Sequence, residues 1–307
     1  MKHSRRARRS RTQKKQLVPM LLGIALLVVT LLSIFLIFLK QPSKQQSDSK
    51  ASTVETTTSS SVMTSESSEV QTEIIWEQQT EPIKLPILMY HAIHVMAPEE
   101  EANVNLIVDP TTFESHLKAL QDAGYYTLSP EEAYKVLTEN VLPAGKKVVW
   151  LTFDDSLWDF YSYAYPLLKQ YQMKATNNVI TGFTEYGQAG HLTLDQIKEM
   201  QTAGLSFQGH TVNHPDLEYS SIEDQTNELT SSKAYLDSQL NQETIAIAYP
   251  SGRYSADTVA LTEQAGYKLG LTTNNGLASL ADGLLSLNRV RILPTTTGDG
   301  LISEISH

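Results

Sequence analysis

The chain has 307 residues, with 24 Lys/Arg, 34 Asp/Glu and no cysteine. Without cysteine there is no disulfide framework and no thiolate metal ligand. Residues 1–16 hold eight of the Lys/Arg and none of the acids, so the remainder carries about −18; this excludes the basic surface that nucleic acid requires.

In chain order, the basic stretch 1–16 is followed by residues 17–39, an uncharged and mostly apolar run of 23 residues. That length spans a hydrocarbon core of about 30 Å as a helix. It is longer than the apolar region of a cleaved signal peptide, about 7–15 residues, so an uncleaved anchor is expected. The basic flank then stays in the cytoplasm and the bulk of the chain lies outside. An exported chain without cysteine fits a Gram-positive cell surface. Residues 40–82 are dominated by Ser, Thr, Gln and Glu. They offer too little apolar surface for a core and read as a flexible stalk.

From 83 to 307 the pattern alternates between strand and helix. Strands are expected at Ile83–Tyr90, Val148–Phe153, Ala175–Ile180, Leu205–Gln208 and Thr244–Ala248. Helix starts are marked by Asp109-Pro110, by Ser129-Pro130-Glu131-Glu132, by Thr193 with Gln196, by Ser221 with Asp224, and by Ser255. A further helix is expected over Tyr161–Tyr171. Gly124, Gly204 and Gly266 each close a helix. Such alternation indicates one α/β domain with a mainly parallel sheet, closed as a βα-barrel. In such barrels chemistry sits at the C-terminal ends of the strands.

Two motifs lie at such ends. Val148–Phe153 runs into Asp154-Asp155, and the short strand ending at Gln208 runs into Gly209-His210-Thr211-Val212-Asn213-His214. Alone, paired acids after a strand often cap a helix, and H-x-x-x-H is a weak metal signal. Together they supply two imidazoles and a carboxylate for one ion, with a second carboxylate left over. Asp155, His210 and His214 are the expected ligands, and Asp154 the expected general base. This ligand set suits Zn²⁺, while Co²⁺ or Ni²⁺ would also bind.

These residues resemble the polysaccharide deacetylases of the NodB-homology type, carbohydrate esterase family 4, over roughly Ile83 to Pro294. Thr152-Phe153-Asp154-Asp155 resembles the first family motif and His210–His214 the second. Tyr249-Pro250-Ser251-Gly252 falls at the third, usually Arg-x-Pro-Tyr-Gly. The resemblance implies a distorted (β/α) barrel and zinc-type removal of N-acetyl groups from surface glycans. It has departures. Ser156 stands where Gly is usual, Ala248 where an Arg usually pairs with the base, and neither the fourth motif nor the late acid histidine is visible. The chain is similar in this to the subgroup of poly-N-acetylglucosamine and Gram-positive wall-polysaccharide deacetylases. In that subgroup the acid is a His ending the first strand, here His91. The resemblance further implies that Arg289 or Arg291 orients Asp154, that Ser251 offers a backbone N–H to the oxyanion, and that Tyr249-Pro250 shapes its loop. Trp158, Tyr161, Tyr163 and Tyr165 could line a sugar groove, although their helical spacing equally suits a core. The reading is a membrane-anchored extracellular N-deacetylase acting on glycans that contain N-acetylglucosamine. Its rivals are a glycan-binding protein on a degenerate fold and an O-acetyl esterase.

Overall fold

The computed structural model describes residues 74–306. The expected cytoplasmic tail (1–16), membrane anchor (17–39) and most of the stalk (40–82) lie outside the described residues. So does His307. Among the described residues no helix is long and apolar enough to cross a membrane.

Eight parallel strands form one sheet: β1 (Ile87–Tyr90), β2 (Tyr125–Thr127), β3 (Lys147–Phe153), β4 (Thr176–Val179), β5 (Ser206–Gly209), β6 (Ala246–Ala248), β7 (Leu269–Asn275) and β8 (Leu287–Arg291). Their order is β1-β8-β7-β6-β5-β4-β3-β2, and a further pairing of β1 with β3 closes seven of them into a ring. The length of β3 makes this possible. Its residues Lys147, Val148 and Val149 pair with β2, while Trp150 to Phe153 pair with β1. The domain is the distorted βα-barrel that the alternating pattern predicts.

Side chains alternate across each strand. Ile87, Trp150, Ala246, Ala248, Leu269, Leu271 and Leu287 share one buried cluster that fills the barrel. The small alanines of β6 leave room for Trp150, whose Nε1–H donates to Thr176 Oγ1 at 2.8 Å. Val149, Leu151, Phe153, Val179 and Phe207 belong to a second cluster, between sheet and helices. The alternation continues past the strand ends, so Thr152, Asp154 and Asn178 reach the interior at the C-terminal rim.

The expected caps are present. Asp109 accepts from Thr111 N at the start of Pro110–Asp122, Ser129 and Glu132 form a capping box on Pro130–Glu139, and Thr193 and Gln196 do so on Leu194–Thr202. Ser221 caps Ile222–Leu240 and Ser255 caps Ala256–Gln264.

Three local expectations are corrected. The stalk was expected to run to residue 82, but Trp76–Gln78 is a strand antiparallel to Val141–Pro143. Asn140 holds the next residues, donating to Gln79 O at 2.9 Å and accepting from Ile83 N at 3.0 Å. These ties are made mostly by the backbone, so composition concealed them. The helix expected over Tyr161–Tyr171 is a wide π turn, Phe160–Ala164, continued by Tyr165–Gln170. Pro166 has no N–H to donate four residues back, and the Tyr165 N–H reaches five residues back to Phe160 O. Finally, only Ile87–Tyr90 of the first expected strand is regular; Leu85 makes an isolated bridge to Ala278.

Candidate metal centre and acid–base site

Each site residue leaves the C-terminal end of a strand. Asp154 and Asp155 follow β3, His210 follows β5, and His91 follows β1. The Asp154 N–H donates to Tyr90 O at 3.0 Å, so the chain carrying the acids is tied to the residue preceding His91.

Asp155, His210 and His214 converge. Asp155 Oδ1 lies 3.2 Å from His210 Nε2 and 3.5 Å from His214 Nε2. The three ligand atoms all lie within 4.8 Å of one another. Ligands placed about 2.0–2.1 Å from a tetrahedral ion sit about 3.4 Å apart, so the donor set fits one cation. The His210 tautomer fits as well. Its Nδ1 lies 2.8 Å from Ala248 O, which only accepts, so Nδ1 carries the proton and Nε2 offers its lone pair. Burial depresses the His210 imidazole, yet Asp155 and Asp154 outweigh it and hold it above its ordinary value. Burial and His210 push His214 below its own.

Asp154 stands outside this set. It is 3 % exposed and bound by Arg289, which is fully buried. Arg289 Nη1 donates to Oδ1 at 2.9 Å and Nη2 to Oδ2 at 2.7 Å, a two-pronged pair. Asn178 Nδ2 donates to Oδ1 at 2.8 Å. Arg289 is itself fixed by Nε donating to Thr272 O at 2.8 Å and Nη1 to Thr152 Oγ1 at 3.2 Å. Burial alone would raise the Asp154 carboxyl, but Arg289 outweighs it and holds it well below the usual carboxylate range. Burial lowers His91, while Asp154 and Asp155 pull it back upward.

The loops pay in backbone strain. Asp155, Ser156, Thr211, His214 and Ser251 have φ between 49° and 74°; among the described residues only three other non-glycines do. Such conformations cost of order 1–3 kcal/mol each and cluster at functional sites.

The sequence profile described as polysaccharide deacetylase matches residues 141–270. The chain is 37 % identical over 223 residues to YxkH of Bacillus subtilis, itself described as a polysaccharide deacetylase, covering 73 % of this chain and 76 % of that protein. The chain belongs to the polysaccharide deacetylase family. The deacetylase PplD of Streptococcus pyogenes, whose structure is known in complex with acetate, is 61 % identical with a TM-score of 0.72, covering 74 % of this chain and all of that one. The poly-β-1,6-N-acetyl-D-glucosamine N-deacetylase of Staphylococcus aureus is 38 % identical over 115 residues, which is 35 % of this chain and only 38 % of that enzyme. As a polysaccharide deacetylase, the protein is a hydrolase of amide bonds.

The departures from the family motifs have visible consequences. Ser156 adopts φ 49° in place of glycine; its Oγ accepts from Ile180 N at 3.3 Å and its carbonyl from Leu192 N at 2.8 Å. Ala248 has no charge to give Asp154, and Arg289 reaches that carboxylate from β8 instead. Arg291, two residues on, is not among the partners of Asp154. Ser251 is exposed in the turn after β6. The Tyr249 ring turns away from the site. It packs with Leu217, Leu229, Ile247 and Tyr267, and its hydroxyl donates to Leu285 O at 2.9 Å. Burial pushes that hydroxyl up to about 12. Only the Tyr249 backbone shapes the loop.

Tyr161 and Tyr165 stack on each other and pack against the core. Trp158 differs, being 44 % exposed. It lines a cavity of about 430 Å³ together with His91, Asp155 and His94. Sequence reading missed several groups here: Asn178, Thr152, Asp159, His94 and Glu228. Glu228 accepts from Val212 N at 2.7 Å, Asn213 N at 2.9 Å and Asn213 Nδ2 at 2.6 Å, so it clamps the loop between the two histidines. Asn178 and Thr152 left a local sign, each being at the interior parity of its strand.

Proposed function

We propose that the protein is a metal-dependent N-deacetylase acting on N-acetylglucosamine units of a cell-surface polysaccharide. The proposed substrates are peptidoglycan, the unit linking a wall glycan to it, or poly-N-acetylglucosamine. The apolar stretch 17–39 supports attachment to the membrane with the domain outside. One observation carries the chemical reading: a buried, Arg-paired carboxylate stands beside, and separate from, an Asp–His–His cluster sized for one cation.

Asp155, His210 and His214 would hold the ion, with Zn²⁺ the best match to the donors and Co²⁺ or Ni²⁺ alternatives. A divalent cation there supplies Lewis acidity, polarising the acetyl carbonyl and acidifying water. Asp154 accepts the proton of the attacking water as its oxygen bonds to the carbonyl carbon. The Arg289 fork keeps Asp154 ionised and oriented. The Ser251 N–H, in the β6 loop, serves as a donor for the oxyanion. The proton that Asp154 took from the water passes to His91, whose imidazole burial lowers, and His91 delivers it to the departing amine as the C–N bond breaks. Acetate and a free amino sugar result.

The deciding experiment measures acetate released by the full-length chain and its Asp154→Asn form from purified wall, linkage glycan and poly-N-acetylglucosamine. Release is expected from at least one of these and is expected to fall by about 10²–10⁴ in Asp154→Asn. If the zinc-supplied wild type releases none from any of them, the reading fails.

A further inference from the structure

The cavity beside the metal ligands contains a cluster that the hydrolytic steps leave unused. His94 sits three residues after His91, with both ring nitrogens engaged. Nδ1 lies 2.5 Å from Asp159 Oδ2, and Nε2 lies 3.1 Å from Glu100 Oε2. Both partners are carboxylates. Burial works against charge on His94, but Asp159 and Glu100 outweigh it and raise it above its ordinary value. Asp159 Oδ2 also accepts from Ile93 N at 3.1 Å, which ties the chain after His91 to the loop after Asp155.

The His94 ring stacks on Trp158, with centroids 6.0 Å apart and planes 25° apart; Tyr163 meets the indole edge-on at 5.9 Å. The indole's backbone is fixed too, since Trp158 N donates to Gly190 O at 3.0 Å. A large aromatic residue that remains 44 % exposed is therefore held rigid from three sides. It lines the same cavity as His91 and Asp155. About 430 Å³ lies within the range of small-ligand sites, about 300–1,000 Å³.

We propose that Trp158 is the stacking wall of a saccharide subsite beside the reacting acetamido group, and that His94, clamped between Asp159 and Glu100, is the positioning residue that sets its ring. The occupant is the hexosamine next along the glycan chain. A pyranose presents an apolar C–H face to an indole, and its hydroxyls reach Asn103, Glu100 and His191 on the same cavity. This assignment rests on the deacetylase reading and adds to it where the polymer lies.

The test compares the full-length wild type with Trp158→Ala, Trp158→Phe and His94→Gln. Substrates are an N-acetylglucosamine oligomer and a small aryl acetate too short to reach the subsite. For Trp158→Ala, KM for the oligomer is expected to rise about tenfold, with kcat and aryl acetate turnover within about twofold. His94→Gln is expected to shift KM the same way by about three- to fivefold, and Trp158→Phe to restore most of it. A second readout needs no turnover. Oligomer binding is expected to change the indole fluorescence of the wild type and not of Trp158→Phe, because Trp150 is fully buried and Trp76, paired with Pro143, does not line this cavity. If oligomers are deacetylated but KM and fluorescence do not respond to Trp158, the subsite is refuted while the deacetylase stands. If fluorescence saturates but no acetate appears, the subsite stands and the deacetylase reading falls. Equal loss of kcat on both substrates in Trp158→Ala would also overturn the subsite.

Discussion

Arg289 and Asp154 place opposite charges where water hardly reaches, at 0 % and 3 % exposure. Two guanidinium donors meet two carboxylate oxygens, and Asn178 adds a third donor. Removing one partner leaves the other as an unpaired buried charge. Arg289→Met is therefore expected to destabilise the fold by about 3–5 kcal/mol, read from urea unfolding. Arg289→Lys keeps the charge but loses the fork; a smaller stability loss is expected, with acetate release still reduced at least about tenfold. The pair also shapes acid stability. The folded Asp154 lies below its unfolded value of about 3.9, so the contribution is complete above that pH and disappears as pH falls towards the folded value. Arg289→Met should flatten this part of the acid profile. The sequence offered Arg289 and Arg291 as alternatives. Strand parity turns both to the interior face and does not choose between them; that Arg289 is the one to meet Asp154 depends on how β8 closes against β1. The same parity turns Tyr249 outward, since Ala246 and Ala248 face in. His94 and Asp159 lie 65 residues apart, and no local pattern links them.

At the scale of elements, the metal ligands depend on a loop that makes few regular backbone bonds of its own. His210 is set by β5 and by Ala248 of the neighbouring β6. His214 lies beyond a turn in which Thr211 and His214 both take positive φ. Within the turn His214 N donates to Thr211 Oγ1 at 3.0 Å, and the rest of its support comes from elsewhere: Gly182 N donates to Val212 O at 2.9 Å, and Glu228 of the helix Ile222–Leu240 binds three donors of residues 212 and 213. Glu228→Ala is expected to weaken zinc binding by about 10–100-fold, the usual effect of losing a group that orients ligands. Competition with a chromogenic chelator measures it, and unchanged affinity would leave Glu228 a surface tie only. Helix starts were legible because caps are local chemistry. Strands β7 and β8 were legible only in outline, β7 from the helix-closing turn at Gly266 and β8 as a strand edge around Arg289, because their Thr, Asn and Arg residues serve the interior of the rim and break the apolar pattern of a strand. The polar helix around Glu228 read correctly as a helix, but its contact with the histidine loop depends on how it docks on β5.

For the molecule as a whole, the ring of seven strands closes without any contribution from the metal ligands. Closure comes from β1 meeting β3 and β8, and cohesion from the clusters on the two faces of the sheet. The ligand residues lie on loops beyond the rim. This separates the protein from small domains whose folding is metal binding. Chelation is therefore expected to leave the far-ultraviolet circular dichroism and cooperative unfolding intact while acetate release stops. Binding to the folded state alone should still add stability, about 2.7 kcal/mol at a hundredfold excess of free ion over Kd. For a domain of this size that corresponds to a rise in Tm of roughly 5–10 °C. In Asp155→Asn and His214→Ala the rise should shrink or vanish, because the first takes the charge from one of the three donors and the second removes one. In Asp154→Asn it should persist, because that carboxylate is committed to Arg289. A zinc-induced shift equal in all three variants would place the ion elsewhere, and with it would go the division of labour between the two neighbouring aspartates.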